Sequence, residues 1–203
     1  MKKHNLFIFS LFLIIIAAQN AAPTHEAALK ITGILFACSY LLFYAGDIAV
    51  FRYKLLARKA MKENRPEVVK EYYRQIGLIS PGSLNGKAAR GIVHALDGEW
   101  EHAEKLFREV LRQRPHDFLL HYNLAVALLK RGFLDEAMKS LLLIIRLRPH
   151  FAHAYSAIGE IEIARGNDEA AYCYFQYALL LDRNDPSARM HLPILRVKLE
   201  QAA

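Results

Sequence analysis

Residues 118–151 read FLLHYNLAVALLKRGFLDEAMKSLLLIIRLRPHF, and the pattern of these 34 residues recurs on both sides of the stretch. Four sets of equivalent residues stand 34 positions apart: Gly98, Gly132 and Gly166; Ala103, Ala137 and Ala171; Phe107, Leu141 and Phe175; and Pro81, Pro115 and Pro149. A fixed period of this length is typical of stacked supersecondary units. The repeat therefore decides the fold class.

Each unit is predicted to be a helical hairpin. In the central copy, apolar residues between positions 120 and 128 recur at helical spacing, and a second such stripe covers positions 134–145. Gly132 separates the two stripes, and Pro149 ends the second helix. The sequence thus predicts an all-α protein in which hairpins stack into a solenoid.

At these positions the chain resembles the tetratricopeptide repeat family. The matching residues of the central copy are Leu124, Ala125, Ala137, Leu141 and Pro149. The following copy matches at Tyr155, Ile158, Gly159, Ala171, Phe175 and Ala178, and the preceding copy at Gly91, Ala103, Phe107 and Pro115. A weaker copy matches at Tyr53, Leu56, Ala57, Tyr73, Ile76 and Pro81. The resemblance implies a scaffold that binds other proteins.

The repeats divide the chain into segments. We expect a degenerate repeat at residues 50–83, three repeats at residues 84–185, and a capping helix with a tail at residues 186–203. The capping helix would cover the exposed end of the stack. Pro193 lies inside it and predicts a bend or a break.

Residues 1–51 contain two apolar runs and predict a membrane hairpin with helices at about residues 5–22 and 31–51. The second run is long enough to cross a bilayer. The first run is short and follows a basic start, which a secretory signal peptide also has, so retention and cleavage both stay open. The second span is expected to continue to about Glu63 as one helix that joins the degenerate repeat.

The charges predict a topology for this hairpin. Residues 1–62 carry eight Lys or Arg against two acidic residues, whereas the rest of the chain carries 19 against 18. Seven of the eight basic residues come before the first span or after the second, which is the same side of the membrane in a hairpin. Only Lys30 lies between the spans. The positive-inside rule then predicts that the repeats lie in the cytoplasm. The chain would be an integral protein of a bacterial membrane, and its two spans would contact lipid. An even charge over the repeats is evidence against nucleic-acid binding.

The resemblance also implies a groove lined by the first helix of each repeat. Its expected partner-binding residues are Ala88, Ile92, Ala95, Leu96, Leu119, Tyr122, Asn123, Val126, Leu129, Lys130, His153, Ser156 and Glu160. Some relatives hold the acidic tail of a chaperone there, but only Asn123 matches that clamp. Because the lining is mostly apolar, we expect an apolar or aromatic partner segment.

The sequence offers little for catalysis or metal binding. The nine histidines do not assemble a four-ligand set with nearby cysteines or acids. No phosphate-binding loop or nucleophile motif occurs. The chain is therefore predicted to be no enzyme and to need no cofactor.

Three functions stay open. The first is a membrane-anchored adaptor that collects protein partners for the assembly of a membrane complex. The second is a permanent accessory subunit of a larger membrane complex, in contact with other transmembrane subunits. The third is an envelope-biogenesis factor whose repeats lie outside the cytoplasm, which the basic residues after Phe51 disfavour.

Overall fold

The computed structural model describes residue 16 and residues 25–202. Residues 25–202 form nine helices: α1 His25–Lys62, α2 Pro66–Ile79, α3 Leu84–Leu96, α4 Trp100–Leu111, α5 Phe118–Lys130, α6 Leu134–Leu147, α7 Ala152–Ala164, α8 Asp168–Leu181 and α9 Pro186–Ala202. The prediction of an all-α solenoid is confirmed for this part of the chain.

The helices pair in chain order. α1 packs on α2, α3 on α4, α5 on α6 and α7 on α8, while α9 packs on α8. The first helices of successive hairpins also touch, since α5 contacts both α3 and α7. A continuous hydrophobic core runs from α4 to α7 and includes the fully buried Phe107, Leu141 and Ile158. The hairpins are thus joined into one stack.

The turns inside the three strong hairpins share one conformation. Gly98, Gly132 and Gly166 have φ angles of +78°, +82° and +79°. This is the left-handed region, which glycine enters without the steric penalty that a Cβ brings. The 34-residue spacing of these glycines therefore marks the point where each hairpin reverses.

Two other glycines allow close packing between the helices of a hairpin. A Cβ added at Gly91 would lie 2.6 Å from Cε1 of Phe107, and one at Gly159 would lie 2.8 Å from Cζ of Phe175. Both phenylalanines are fully buried. Small residues on the first helix thus accept the large residues on the second.

The prediction of two transmembrane helices is wrong. The second predicted span, residues 31–51, lies within α1, and no helix of the described residues is long and apolar enough to cross a membrane. The end of this span instead packs as the first helix of a hairpin, because Val50 is 4% exposed and clusters with Ile76 and Ala89. The first predicted span, residues 5–22, lies outside the described residues except for residue 16.

The predicted localisation, an integral membrane protein with cytoplasmic repeats, is wrong as well, because it depended on these spans. Asp47, an acidic residue within the second predicted span, is exposed on α1. α1 runs without interruption to Lys62. Asn64, at a φ of +53°, lies between the two helices, and Pro66 is the first residue of α2. At the other end, α9 continues through Pro193 as one helix.

Candidate functional site

The predicted groove residues lie on α3, α5 and α7, three first helices that are neighbours in the stack. On α3 and α5, five of them are half-buried against the core: Ala88, Ile92, Ala95, Tyr122 and Leu129. Asn123 and Val126 are also half-buried, whereas Lys130 is exposed. Leu96 and Leu119 stay 46% and 42% exposed. This part of the surface is apolar and partly open.

On α7, the start of α9 engages the predicted residues. The Ser156 hydroxyl is buried and donates a hydrogen bond to Asp185 Oδ1 at 2.7 Å. Ser187 Oγ donates to Glu160 Oε1 at 2.5 Å. His153 Nδ1 lies 3.7 Å from Asp185 Oδ2. Ser156 and Glu160 therefore help to hold α9, and only His153 stays exposed.

Four side chains on α5 and at the start of α7 form an aromatic cluster, which consists of Phe118, Tyr122, Phe151 and His153. The Phe151 ring meets Phe118 and Tyr122 edge-on, with centroid distances of 5.5 Å and 5.4 Å. It stacks on His153 at 5.5 Å. Edge-on and stacked arrangements are the favourable ones for aromatic rings. The cluster joins the second and third strong repeats across the predicted groove.

Electrostatics add to the apolar character of this cluster. The pKa of Tyr122 is raised to about 12, mainly by burial and to a smaller extent by the negative charges of Glu160 and Asp185. Tyr122 is thus a neutral side chain at physiological pH, and its ring is held in place by Phe151. Such a surface can accept an aliphatic or aromatic side chain.

Phe118 and Phe151 also belong to this surface, although they were not among the residues predicted from the sequence. Phe151 occupies the position before α7 that Ser83, Asp117 and Asp185 occupy before α3, α5 and α9. Those three residues cap their helices through a side-chain oxygen, whereas Phe151 makes no cap hydrogen bond. The absence of a polar residue at one copy of a repeated cap position is the signal that could have found it.

In the described part of the chain, no group of three or more His, Cys, Asp or Glu side chains could hold a metal ion. His116 and His150 come from equivalent turn positions of two repeats and are both exposed.

Comparisons with known proteins agree with this architecture. Residues 94–161 match the family model of the tetratricopeptide repeat. The uncharacterized protein y4yS of Sinorhizobium fredii is 23% identical over 77 residues, which are 38% of this chain and 42% of that protein. This chain thus spans about two fifths of the length of the curated relative that it matches.

Solved structures share the fold. Pseudomonas aeruginosa pilF superposes with a TM-score of 0.60 at 23% identity, over 77% of this chain and 72% of that one. MamA from Desulfovibrio magneticus RS-1 superposes with a TM-score of 0.54 at 22% identity, over 75% and 86%. The first TPR of Spaghetti (RPAP3), bound to an HSP90 peptide, gives 0.53 at 20%, over 58% and 93%. Residues 94–161 thus match the tetratricopeptide repeat, and the solved structures share the fold of the helical stack.

Proposed function

We propose that this chain is a protein-interaction scaffold that holds an apolar or aromatic segment of a partner protein against the aromatic cluster. The observation that carries the proposal is the cluster itself, because it links α5 to α7. Two of its side chains lie on α5, the helix that also bears the exposed Leu119. Repeats of this kind generally act as non-enzymatic interaction modules. A solved relative of this fold was determined with a peptide of HSP90 bound.

Apolar contact should dominate the affinity. Burying one large apolar side chain contributes about 1.5–3 kcal/mol, whereas an exposed lysine that pairs with an acid contributes about 0–1 kcal/mol. Lys130 is such an exposed lysine. Binding through the aromatic cluster should therefore change little as the salt concentration rises.

The experiment starts from a peptide selected by display against the full chain, whose dissociation constant is then measured by fluorescence anisotropy. Tyr122→Ala should weaken binding at least tenfold, because it removes the ring on which Phe151 rests. Tyr122→Phe keeps that ring and should bind as the parent does, and Lys130→Ala should change the affinity less than threefold. Circular dichroism confirms that each variant is folded.

Two results would overturn the proposal. One is an affinity that collapses between low and moderate salt, since this would make the contact ionic. The other is binding that survives both Tyr122→Ala and Val126→Asp unchanged.

A second candidate is a permanent subunit of a larger complex. Ile48, Phe51 and Leu55 lie on one face of α1 and are 56%, 71% and 58% exposed. Proteins that act alone rarely expose a large contiguous apolar patch. Purification from the native source under mild conditions should then yield fixed partner subunits, and Phe51→Ser should release them. Elution as a single free chain would remove this candidate.

A further inference from the structure

Helix α9 presents a row of large apolar side chains to solvent. Met190, Ile194 and Val197, which we call the α9 stripe, are each more than half exposed. Spacings of four and three residues place them on one side of the helix. On the other side, Ala188 and Leu195 are buried in the hydrophobic cluster that α9 shares with α8. The α9 stripe thus adds apolar surface beyond what packing on α8 uses.

The repeat register assigns the α9 stripe to the groove. Its members stand one period of 34 positions after three residues of α7 and two periods after three residues of α5: Ser156, Glu160 and Ile163, and Tyr122, Val126 and Leu129. The buried side keeps this register, since the buried Leu195 corresponds to the fully buried Ile161 of α7. Asp185 caps α9 from the position that Asp117 has before α5. α9 therefore lies as the first helix of a next repeat would lie, and the α9 stripe continues the groove.

A different set of side chains covers the end of the stack. Another row of exposed residues on α9 is mostly charged and consists of Arg189, Pro193, Arg196 and Glu200. Pro193 corresponds to Gly159 of α7, which faces Phe175 of the second helix of its hairpin. This charged row is thus the side that a further second helix would cover. A helix that only caps a stack needs such a polar outer face, but capping does not explain an exposed apolar stripe.

The aromatic cluster adjoins the start of α9. Nδ1 of His153, a member of the cluster, lies 3.7 Å from Oδ2 of the buried Asp185. Asp185 Oδ1 accepts hydrogen bonds from Ala188 N at 2.9 Å and from the Ser156 hydroxyl at 2.7 Å. These bonds fix α9 against α7, and Met190 follows one turn after the cap. The cluster and the α9 stripe are therefore held in a set arrangement before any partner binds.

We propose that the α9 stripe is a second apolar contact for the partner segment, which crosses α7 from the aromatic cluster to α9. The inference rests on the proposed scaffold function and specifies the segment. Packed helices lie about 8–10 Å apart, so two helix spacings separate α5 from α9 by about 16–20 Å. An extended chain covers this distance in about five or six residues. The partner is thus an extended protein segment with two apolar side chains at about that separation.

The first test uses the full chain and the display-selected peptide, with fluorescence anisotropy as the readout. Ile194→Asp puts a charge into the α9 stripe and should weaken peptide binding at least tenfold. Arg189→Asp is the matched control, because it places the same side chain on the charged row of the same helix. It should change the affinity less than threefold. Circular dichroism establishes that both variants are folded.

The second test needs no variant. A nitroxide attached to one end of the peptide should broaden the methyl NMR signals of Ile194 and Val197 most strongly. A nitroxide at the other end should act most strongly on Leu119, which is exposed on α5. The two experiments thus report whether one segment reaches both contacts.

Three outcomes would overturn the α9 contact. The first is unchanged peptide binding by Ile194→Asp, or equal weakening by Arg189→Asp. The second is a peptide whose nitroxides leave the α9 signals sharp. The third is a parent chain that sediments as a dimer and that Ile194→Asp converts to a monomer, since a second copy would then cover the stripe.

Failure of this inference is distinguishable from failure of the scaffold proposal. If Tyr122→Ala still weakens binding while Ile194→Asp does not, only the α9 contact is lost. If Tyr122→Ala and Val126→Asp also bind the peptide as the parent does, the scaffold proposal fails as well.

Discussion

At the scale of single residues, the repeats keep a pairing of sizes between their two helices. Gly91 faces Phe107 and Gly159 faces Phe175, and the members of each pair are 16 positions apart. The equivalent positions of the central repeat hold Ala125 and Leu141, both fully buried or nearly so. In these three hairpins, a small residue on the first helix thus packs against a large one on the second, which fills the space between the two helices.

Gly91→Ala should destabilise the protein by about 1–3 kcal/mol, because its Cβ would overlap the Phe107 ring. Helix propensity alone predicts the opposite sign, since alanine favours a helix over glycine by about 1 kcal/mol. Adding Phe107→Leu should recover part of the loss by recreating the pair of the central repeat. Urea unfolding followed by circular dichroism measures both effects.

Gly33→Ala is the matched control, because Gly33 lies in the helix α1 and has no atom within 4 Å of the added Cβ. It should leave the free energy of unfolding unchanged or raise it. A Gly91→Ala protein as stable as the parent would show that Phe107 can move aside at no cost.

At the scale of helices, the residue before α7 makes aromatic contacts where the residue before α5 makes a helix cap. Asp117 and Phe151 have nearly the same backbone angles, with φ and ψ of −77° and 94° against −84° and 88°. The Asp117 carboxylate caps α5, whereas the Phe151 side chain packs in the aromatic cluster. The backbone at Phe151 is thus suited to a cap that its side chain cannot make.

Phe151→Asp should be more stable than Phe151→Ala by about 1 kcal/mol, because aspartate can cap α7 and alanine cannot. Both variants lose the two edge-on ring contacts of Phe151. Both should therefore bind the selected peptide more weakly than the parent does. Thermal unfolding and fluorescence anisotropy on the same samples separate the two effects.

A Phe151→Asp protein that binds the peptide as the parent does would exclude Phe151 from the site. Equal stability of the aspartate and alanine variants would show instead that the cap does not form.

At the scale of the whole molecule, ion pairs join neighbouring hairpins. Lys70 of α2 pairs with Asp97 after α3, and Glu104 of α4 pairs with Arg131 after α5. The two pairs occupy equivalent positions 34 residues apart, but their charges are reversed. In the next interface, Arg165 pairs with Asp135 at 2.5 Å. Each interface thus has its own arrangement of charges.

Glu104→Lys should destabilise the protein by about 3–5 kcal/mol, because Glu104 is buried and a single change leaves unpaired charge at the interface. The double variant Glu104→Lys with Arg131→Asp reproduces the Lys70 and Asp97 arrangement. It should be more stable than the sum of its single changes predicts, by about 0.5–3 kcal/mol. Chemical unfolding of the three variants gives this double-mutant cycle.

The exposed pair of Arg196 and Glu200 provides the control, because both side chains are more than half exposed. Glu200→Lys should change the free energy of unfolding by no more than about 0.5 kcal/mol. Strict additivity in the Glu104 cycle would mean that the two side chains contribute independently.

The sequence by itself determined the helical hairpin, its period and its turns. These features depend on residues close together in the chain: apolar stripes at helical spacing, and a glycine where the backbone must enter the left-handed region. Gly132 and its two equivalents could therefore be located without any tertiary contact. The size pairing of helices also left a trace, since Phe107, Leu141 and Phe175 repeat with the period.

Only the tertiary structure decided what each surface contacts. An apolar run such as residues 31–51 suits either lipid or a neighbouring helix, and the packing of Val50 on Ile76 settles its end as protein core. Ser156 stands at a position that the repeat pattern assigns to the groove. In the structure its hydroxyl instead donates a hydrogen bond to Asp185, which lies 29 residues later in the chain. Lys54 and Arg114 meet at Asn85 from 31 and 29 residues away. Residues so far apart become neighbours only through the stacking of hairpins, which no local pattern encodes.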